Sequence, residues 1–167
     1  LIQIKEKHPD VFIMVQFALN QHGYTEKGIS CRKLLESAMD LPQLDLIGFN
    51  CGVGPGHLLK ILREVPLPKN LYISALPNAG YPNSTAGRMV FMENREYFGQ
   101  KMLEIASLGI NILGGCCGTD PEYIKITKSY LDQTNFIKTD PYSEMNEINR
   151  KQTSGNRFYK SKGNAKV

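Results

Sequence analysis

Leu113-Gly114-Gly115-Cys116-Cys117-Gly118-Thr119 sets two adjacent cysteines between glycines, directly behind the apolar run Ile110, Ile112, Leu113. An apolar run that stops at glycines reads as a buried strand ending in a tight loop. Neighbouring side chains on a strand point to opposite faces. Two adjacent thiols can therefore converge only where the backbone leaves regular geometry, and glycine permits that departure. Two converging thiolates are soft, anionic ligands, and zinc is the metal such ligands most often hold. Taken alone, the stretch fits equally well two small buried cysteines that pack like alanines.

The same build recurs upstream. Leu46-Ile47-Gly48-Phe49-Asn50-Cys51-Gly52 is again an apolar strand, then cysteine, then glycine. Cys51, Cys116 and Cys117 thus all fall at the C-terminal ends of expected strands. Three protein ligands with one position open is the pattern of catalytic zinc, whereas structural zinc sites are closed by four.

Outward from these loops the chain alternates. A first helix covers 1–8. After the turn at Pro9-Asp10, the run Val11-Phe12-Ile13-Met14-Val15-Gln16-Phe17-Ala18 reads as a strand buried on both faces, as in parallel sheets. A polar loop over 20–28 contains His22, read as solvated. Ser30 can cap a helix over 31–40, with Leu34, Leu35 and Ala38 as its apolar stripe and Cys31 as a structural residue at its start. The strand over 45–50 leads through Gly52-Val53-Gly54-Pro55-Gly56 into a helix over 55–64. Such a loop can cradle phosphate, but it lacks the Lys-Ser/Thr of a P-loop and the full dinucleotide fingerprint, so it reads as a tight turn that frees Cys51. Pro66 and Pro68 close that helix.

A third strand over 71–75 runs into a loop over 76–83. There Asn78 could hold a substrate, coordinate a metal weakly through its amide oxygen, or simply bond its own backbone as turn asparagines do. The helix over 93–108 turns Tyr97, Met102, Ile105 and Leu108 inward, and Gly109 stops it. A fourth strand over 110–115 delivers Cys116 and Cys117. Asp120-Pro121-Glu122 opens a last helix over 121–132, with Tyr123, Ile124, Ile126 and Leu131 on its buried side. Strict strand–helix alternation with buried strands means a parallel sheet with right-handed crossovers. Four such units make half of a (β/α)8 TIM barrel, and the candidate ligands lie where barrel active sites lie. An open doubly wound sheet is the alternative architecture.

The 167 residues suffice for one ordinary core. The chain opens at Leu1 inside a helix, which reads as a fragment or a processed piece. No apolar stretch reaches the roughly 18 residues of a membrane span, and no leader precedes a small-residue cleavage site. Four cysteines without a secretory signal, two of them adjacent, fit a reducing compartment, so a cytoplasmic location is expected. The net charge of +4 sits in residues 133–167, whose seven basic and three acidic residues account for all of it. A basic tail can bind nucleic acid. The dispersed lysines lack aromatic interleaving beyond Phe158-Tyr159, so the segment reads as a flexible basic linker, with neither nucleic acid nor membrane as partner.

Gly48-Phe49-Asn50-Cys51, Pro77-Asn78-Ala79-Gly80 and Gly114-Gly115-Cys116-Cys117-Gly118-Thr119, in this order and spacing, resemble the homocysteine S-methyltransferase family. The likeness is strongest to bacterial bifunctional proteins that join this domain to a methylenetetrahydrofolate reductase. The resemblance covers 9–132 and implies strands five to eight of the barrel. Residues 1–132 are then the C-terminal half of a homocysteine-binding domain, and 133–167 the linker toward a reductase domain. It also implies Cys51, Cys116 and Cys117 as catalytic zinc ligands, and Asn78, Ala79 and Gly80 as the substrate-binding loop. The implied reaction is methyl transfer to a zinc-activated homocysteine thiolate, giving methionine. The methyl donor is open, with a lean toward methyltetrahydrofolate. The family's first four strands, with its Asp-Gly-Ala-type opening motif, are absent, so activity is implied for the parent protein. A non-catalytic zinc-binding half-barrel module is the rival reading. It would need a fourth strong ligand, and Cys31 and His22 are poorly placed to be one. A half barrel exposes two strand edges and is expected to dimerise, aggregate or need its other half.

Overall fold

The computed structural model describes residues 1–80 and 94–134 in full, and residues 82–85 and 88–91 as backbone. Helix α1 (Ile2–Lys7) precedes strand β1 (Met14–Phe17). Helix α2 (Cys31–Met39), strand β2 (Leu46–Asn50), helix α3 (Pro55–Arg63) and strand β3 (Tyr72–Leu76) follow. A hairpin of β4 (Pro82–Thr85) and β5 (Arg88–Phe91) then leads to helix α4 (Arg95–Ala106), strand β6 (Ile112–Leu113) and helix α5 (Pro121–Asp132). The sheet is parallel throughout, in the order β1-β2-β3-β6, as the strict alternation requires.

Register divides the sheet into two faces. Val15, Phe17, Ile47, Phe49, Ile73, Ala75 and Leu113 turn toward the helices and join one apolar core with Leu34, Leu35, Leu58, Leu62, Phe98, Met102, Ile105 and Tyr123. Gln16, Gly48 and Ser74 are mutual register partners on the other face, the side that lines the interior of a barrel. The helices begin where their caps dictate. Ser30 Oγ accepts from Lys33 N at 3.3 Å, Asn94 Oδ1 accepts from Tyr97 N at 2.9 Å, and Asp120 accepts from Glu122 N and Tyr123 N.

Four expectations are corrected. The strand expected over 11–18 is shorter and is not buried on both faces: Val11, Phe12 and Met14 are exposed. The strand expected over 110–115 pairs only at Ile112 and Leu113, and Ile112 is exposed. Among the described residues both strands border a single neighbour, and the central β2 and β3 alone reach the two-sided burial of a parallel sheet. On α4 the inward row is Phe98, Met102 and Ile105, at i, i+4 and i+7. Tyr97 instead stays exposed, with Lys101 Nζ over its ring at 5.6 Å. On α5 Ile124 is exposed and Thr127 is buried, its hydroxyl donating to Tyr123 O at 2.9 Å.

The hairpin is an addition to the expected order. Pro82-Asn83 opens a strand where turn residues predicted continued loop, because Pro-Asn-Ser-Thr carries no apolar alternation. The tail reading falls almost wholly on residues 135–167, outside the described residues. No helix of the described residues is long and apolar enough to cross a membrane.

Candidate metal centre

Three loops at the C-terminal ends of β2, β3 and β6 meet. They are laced by backbone hydrogen bonds that continue the sheet beyond its strands. Cys51 N donates to Leu76 O at 3.1 Å, Cys116 N to Pro77 O at 2.8 Å, Asn78 N to Val53 O at 2.9 Å and Ala79 N to Cys117 O at 2.9 Å. The middle loop, after β3, is thus tied to both of the others, and the side chains the three loops carry are fixed relative to one another.

Cys51 leaves strand geometry outright. Its φ is +65°, in the left-handed region that non-glycine residues rarely enter, and Gly52 follows at φ +77°. A Cβ on Gly52 would lie 2.1 Å from Leu19 O, so the turn that aims Cys51 admits glycine alone. Gly115 answers a different need. A Cβ there would meet Thr119 Oγ1 at 2.5 Å, the hydroxyl that donates to Cys116 O at 2.7 Å and closes the second cysteine loop.

The result is convergence. Cys51, Cys116 and Cys117 place their sulfurs within 4.8 Å of one another, and among the described residues this is the group of three such side chains able to hold a metal ion. Cys51 Sγ stands 3.5 Å from Cys117 Sγ, and Cys116 Sγ stands 3.9 Å from Cys117 Sγ. Ligands at the zinc–sulfur distance of ~2.3 Å in a tetrahedron stand about 3.8 Å apart. These two spacings lie near that edge, and the third is within 4.8 Å, so the donor set suits a thiophilic cation held by three sulfurs. Cys117 is exposed and Cys51 and Cys116 are half-buried, so the open side faces solvent.

The electrostatics favour a cation. Burial pushes the Cys51 thiol up, but hydrogen bonds from Gly52 N–H and from the side chains of Cys117, Cys116 and Asn78 outweigh it and hold Cys51 below its ordinary value. Cys117 is pushed up to about 11, chiefly by its hydrogen bond to Cys51 and by the charge that Cys51 and Cys116 carry when ionised. Three neighbouring thiols cannot all ionise unaided, and a bound divalent ion removes that repulsion.

The other residues singled out are placed as follows. Asn78 is buried, and its Oδ1 accepts from Cys117 N at 3.2 Å, so the amide bonds another loop rather than its own backbone. Ala79 packs its methyl into the core, and Gly80 is half-buried beside Gly54. Cys31 is buried away from the cluster, and exposed His22 lies against Gln21 at 3.3 Å. Asn50, which carried no role in the sequence reading, lies 3.8 Å through Oδ1 from Cys116 Sγ. Its signal was position alone: it is the last β2 residue on the same face as Gly48.

Comparison with known proteins agrees with this geometry. A methionine synthase of Mycobacterium leprae is 32% identical over 93 residues, 55% of this chain and 8% of that protein. A methionine synthase of Mycobacterium tuberculosis is 32% identical over 83 residues, 49% of this chain and 7% of that protein. The chain therefore spans less than a tenth of the length of these relatives. Among solved structures, the apo form of the homocysteine methyltransferase MmuM from Escherichia coli superposes with a TM-score of 0.54 at 19% identity, over 77% of this chain and 43% of that one. Its metallated form gives 0.53 at 19% identity, over 76% and 38%. At that identity the likeness is one of fold, and it places the βαβα units here in a TIM barrel. The family model for homocysteine S-methyltransferase matches residues 1–131, and on that match this chain belongs to the homocysteine S-methyltransferase family.

Proposed function

We propose that the chain carries the zinc site of a homocysteine S-methyltransferase, with Cys51, Cys116 and Cys117 as the three protein ligands. The observation that carries this reading is the convergence of the three sulfurs within 4.8 Å at strand C-termini, with one side open. Homocysteine's thiol, near pKa ~8.5 when free, is mostly protonated at neutral pH, and the thiolate is the nucleophile. Bound zinc would supply a thiophilic Lewis acid that deprotonates the substrate thiol while three anionic ligands keep its sulfur electron-rich. Cys51, Cys116 and Cys117 hold that position at the mouth of the sheet, and the interlaced loops keep it rigid. The substrate sulfur attacks the donor's methyl carbon and forms the new S–CH3 bond. The old bond breaks with its electron pair leaving on the donor, and the thiol proton goes to solvent.

The finer reading takes the four parallel units as strands five to eight of the barrel, with residues 1–132 as the C-terminal half of the domain and 133–167 as a linker. The family match ending at residue 131 supports that boundary. The resemblance to bifunctional proteins supports a folate-linked methyl donor, with methyltetrahydrofolate first to be assayed, and a methylenetetrahydrofolate reductase domain as covalent partner. The free thiols support a cytoplasmic location.

The test is zinc content per chain, paired with a homocysteine titration followed by X-ray absorption at the zinc edge. About one zinc that gains a sulfur neighbour with homocysteine is expected, and substituting Cys117→Ser should abolish both metal retention and transfer. Zinc indifferent to homocysteine would leave only a structural metal module, and full transfer activity in the Cys117→Ser protein would overturn the assignment.

A further inference from the structure

Helices α3 and α4 pack side by side and leave an open cleft of about 330 Å³ between them, lined by none of the cysteines. Buried Leu59 lies at its base, Lys60 and Arg63 border it from α3, and Tyr97 and Lys101 border it from α4. Tyr97 is 42% exposed, yet its ring is held in place. The hydroxyl rests over Gly56, where a Cβ would clash with it, and Lys101 Nζ stands over the ring at 5.6 Å from its centroid. The ring is therefore a preformed platform on the surface.

Positive charge around that platform is in surplus. Lys101 Nζ and Arg63 Nη2 share a single carboxylate, that of Glu104, at 2.6 and 2.8 Å. The Arg63 side chain is 55% exposed and spends one nitrogen on that bond, so most of its donors stay free. Lys60, one turn earlier on α3, makes no ion pair among the described residues. With Glu64 counted on the cleft wall, three cations face two carboxylates. The cleft is open along one side, which suits a chain laid across it better than a small molecule enclosed within it.

We propose that the α3–α4 cleft docks an acidic peptide segment of a partner protein. Its carboxylates meet Lys60 and the free donors of Arg63, and one apolar side chain seats between the Tyr97 ring and Leu59. Charge complementarity selects the sign of the partner, and tyrosine and arginine are the side chains that most often dominate binding energy at interfaces. The cleft shares no residue with the cysteine loops, so this proposal and the zinc reading stand or fall separately.

The test is fluorescence anisotropy of a labelled peptide of glutamates around one central leucine, titrated with the full chain. Saturable binding is expected. K60E/R63E should weaken it by about tenfold or more, and Y97A by about tenfold. K125E/K128E makes the same charge change on the exposed face of α5 and should leave binding within about twofold, because charges beyond a Debye length are screened. Absence of binding, or unchanged binding by K60E/R63E or Y97A, overturns the proposal. Equal losses from K125E/K128E and K60E/R63E overturn it as well, since net charge alone would then hold the peptide. Inorganic phosphate that displaces the peptide at constant ionic strength would assign the cleft to a small anion instead. Should K60E/R63E fail to fold, as circular dichroism would show, K60Q carries the test with the same expected direction.

Discussion

Two cysteines define opposite environments at the residue scale. Cys51 accepts a left-handed backbone, at φ +65°, in exchange for an aim that no strand residue could have. Strain of this kind costs about 1–3 kcal/mol and persists where surrounding bonds over-determine it, as the three interlaced loops do here. Gly52→Ala should therefore destabilise the fold by at least ~2 kcal/mol in urea unfolding, since it adds a clash with Leu19 O to left-handed strain. Cys31 is the contrast. It is 2% exposed in the core, and burial pushes its thiol from 9.0 up to about 12, with Arg32 pulling only partly the other way. Above pH 9 the unfolded chain releases a proton that the folded one retains. Stability should thus fall with rising pH between about 9 and 12, by up to ~1.4 kcal/mol per pH unit from this group. Cys31→Ala should flatten that slope when the two proteins are melted side by side, and parallel slopes would refute the assignment.

Among the elements, α4 and α5 form the tightest pair beneath the second cysteine loop. Phe98 and Tyr123 meet edge to face with centroids 5.1 Å apart, both fully buried, and Arg95 pairs with Asp120 at 2.7 Å. Because Asp120 also caps α5 directly after Cys116-Cys117-Gly118-Thr119, this packing anchors the loop that carries two of the sulfurs. Phe98→Ala should cost ~3–5 kcal/mol in denaturant unfolding. Asn94→Ala, which removes only the α4 cap, should cost about 1 kcal/mol, and a larger loss for the cap than for the core would contradict this picture. Asp120 and Pro121 made α5 legible in the sequence, because a cap is a local bond between residues two or three apart, whereas α4 was read from its apolar spacing and from Gly109. Which of Tyr97 and Phe98 turned inward was not legible. The two are neighbours, and only the docking of α5 selects between them.

At the scale of the whole molecule, β1 and β6 each pair on one side alone among the described residues, and Met14 and Ile112 remain exposed on the sheet face away from the helices. Unpaired parallel edges beside apolar side chains template further pairing. Studied by itself, the chain is expected to sediment as associated species, with Ile112→Lys shifting it toward monomer. An unsubstituted chain that is monomeric at tens of micromolar would show that the edges are protected.

The sequence by itself determined the parallel alternation, the buried β2 and β3, and the three cysteines set at strand ends. Each of these is written locally, in an apolar run, a cap, or a cysteine set against glycine at a strand end. Tertiary structure alone decided the rest. The exposure of β1 and β6 depends on what lies beside them, not on their own composition. The aim of Cys51 depends on a glycine turn wedged against Leu19. The hydrogen bond from Cys117 N–H to Asn78 Oδ1 joins residues thirty-nine apart, which meet only once β3 and β6 have paired. A hydrogen bond between distant loops leaves no periodicity in the chain, so it becomes visible only once the sheet has brought its ends together.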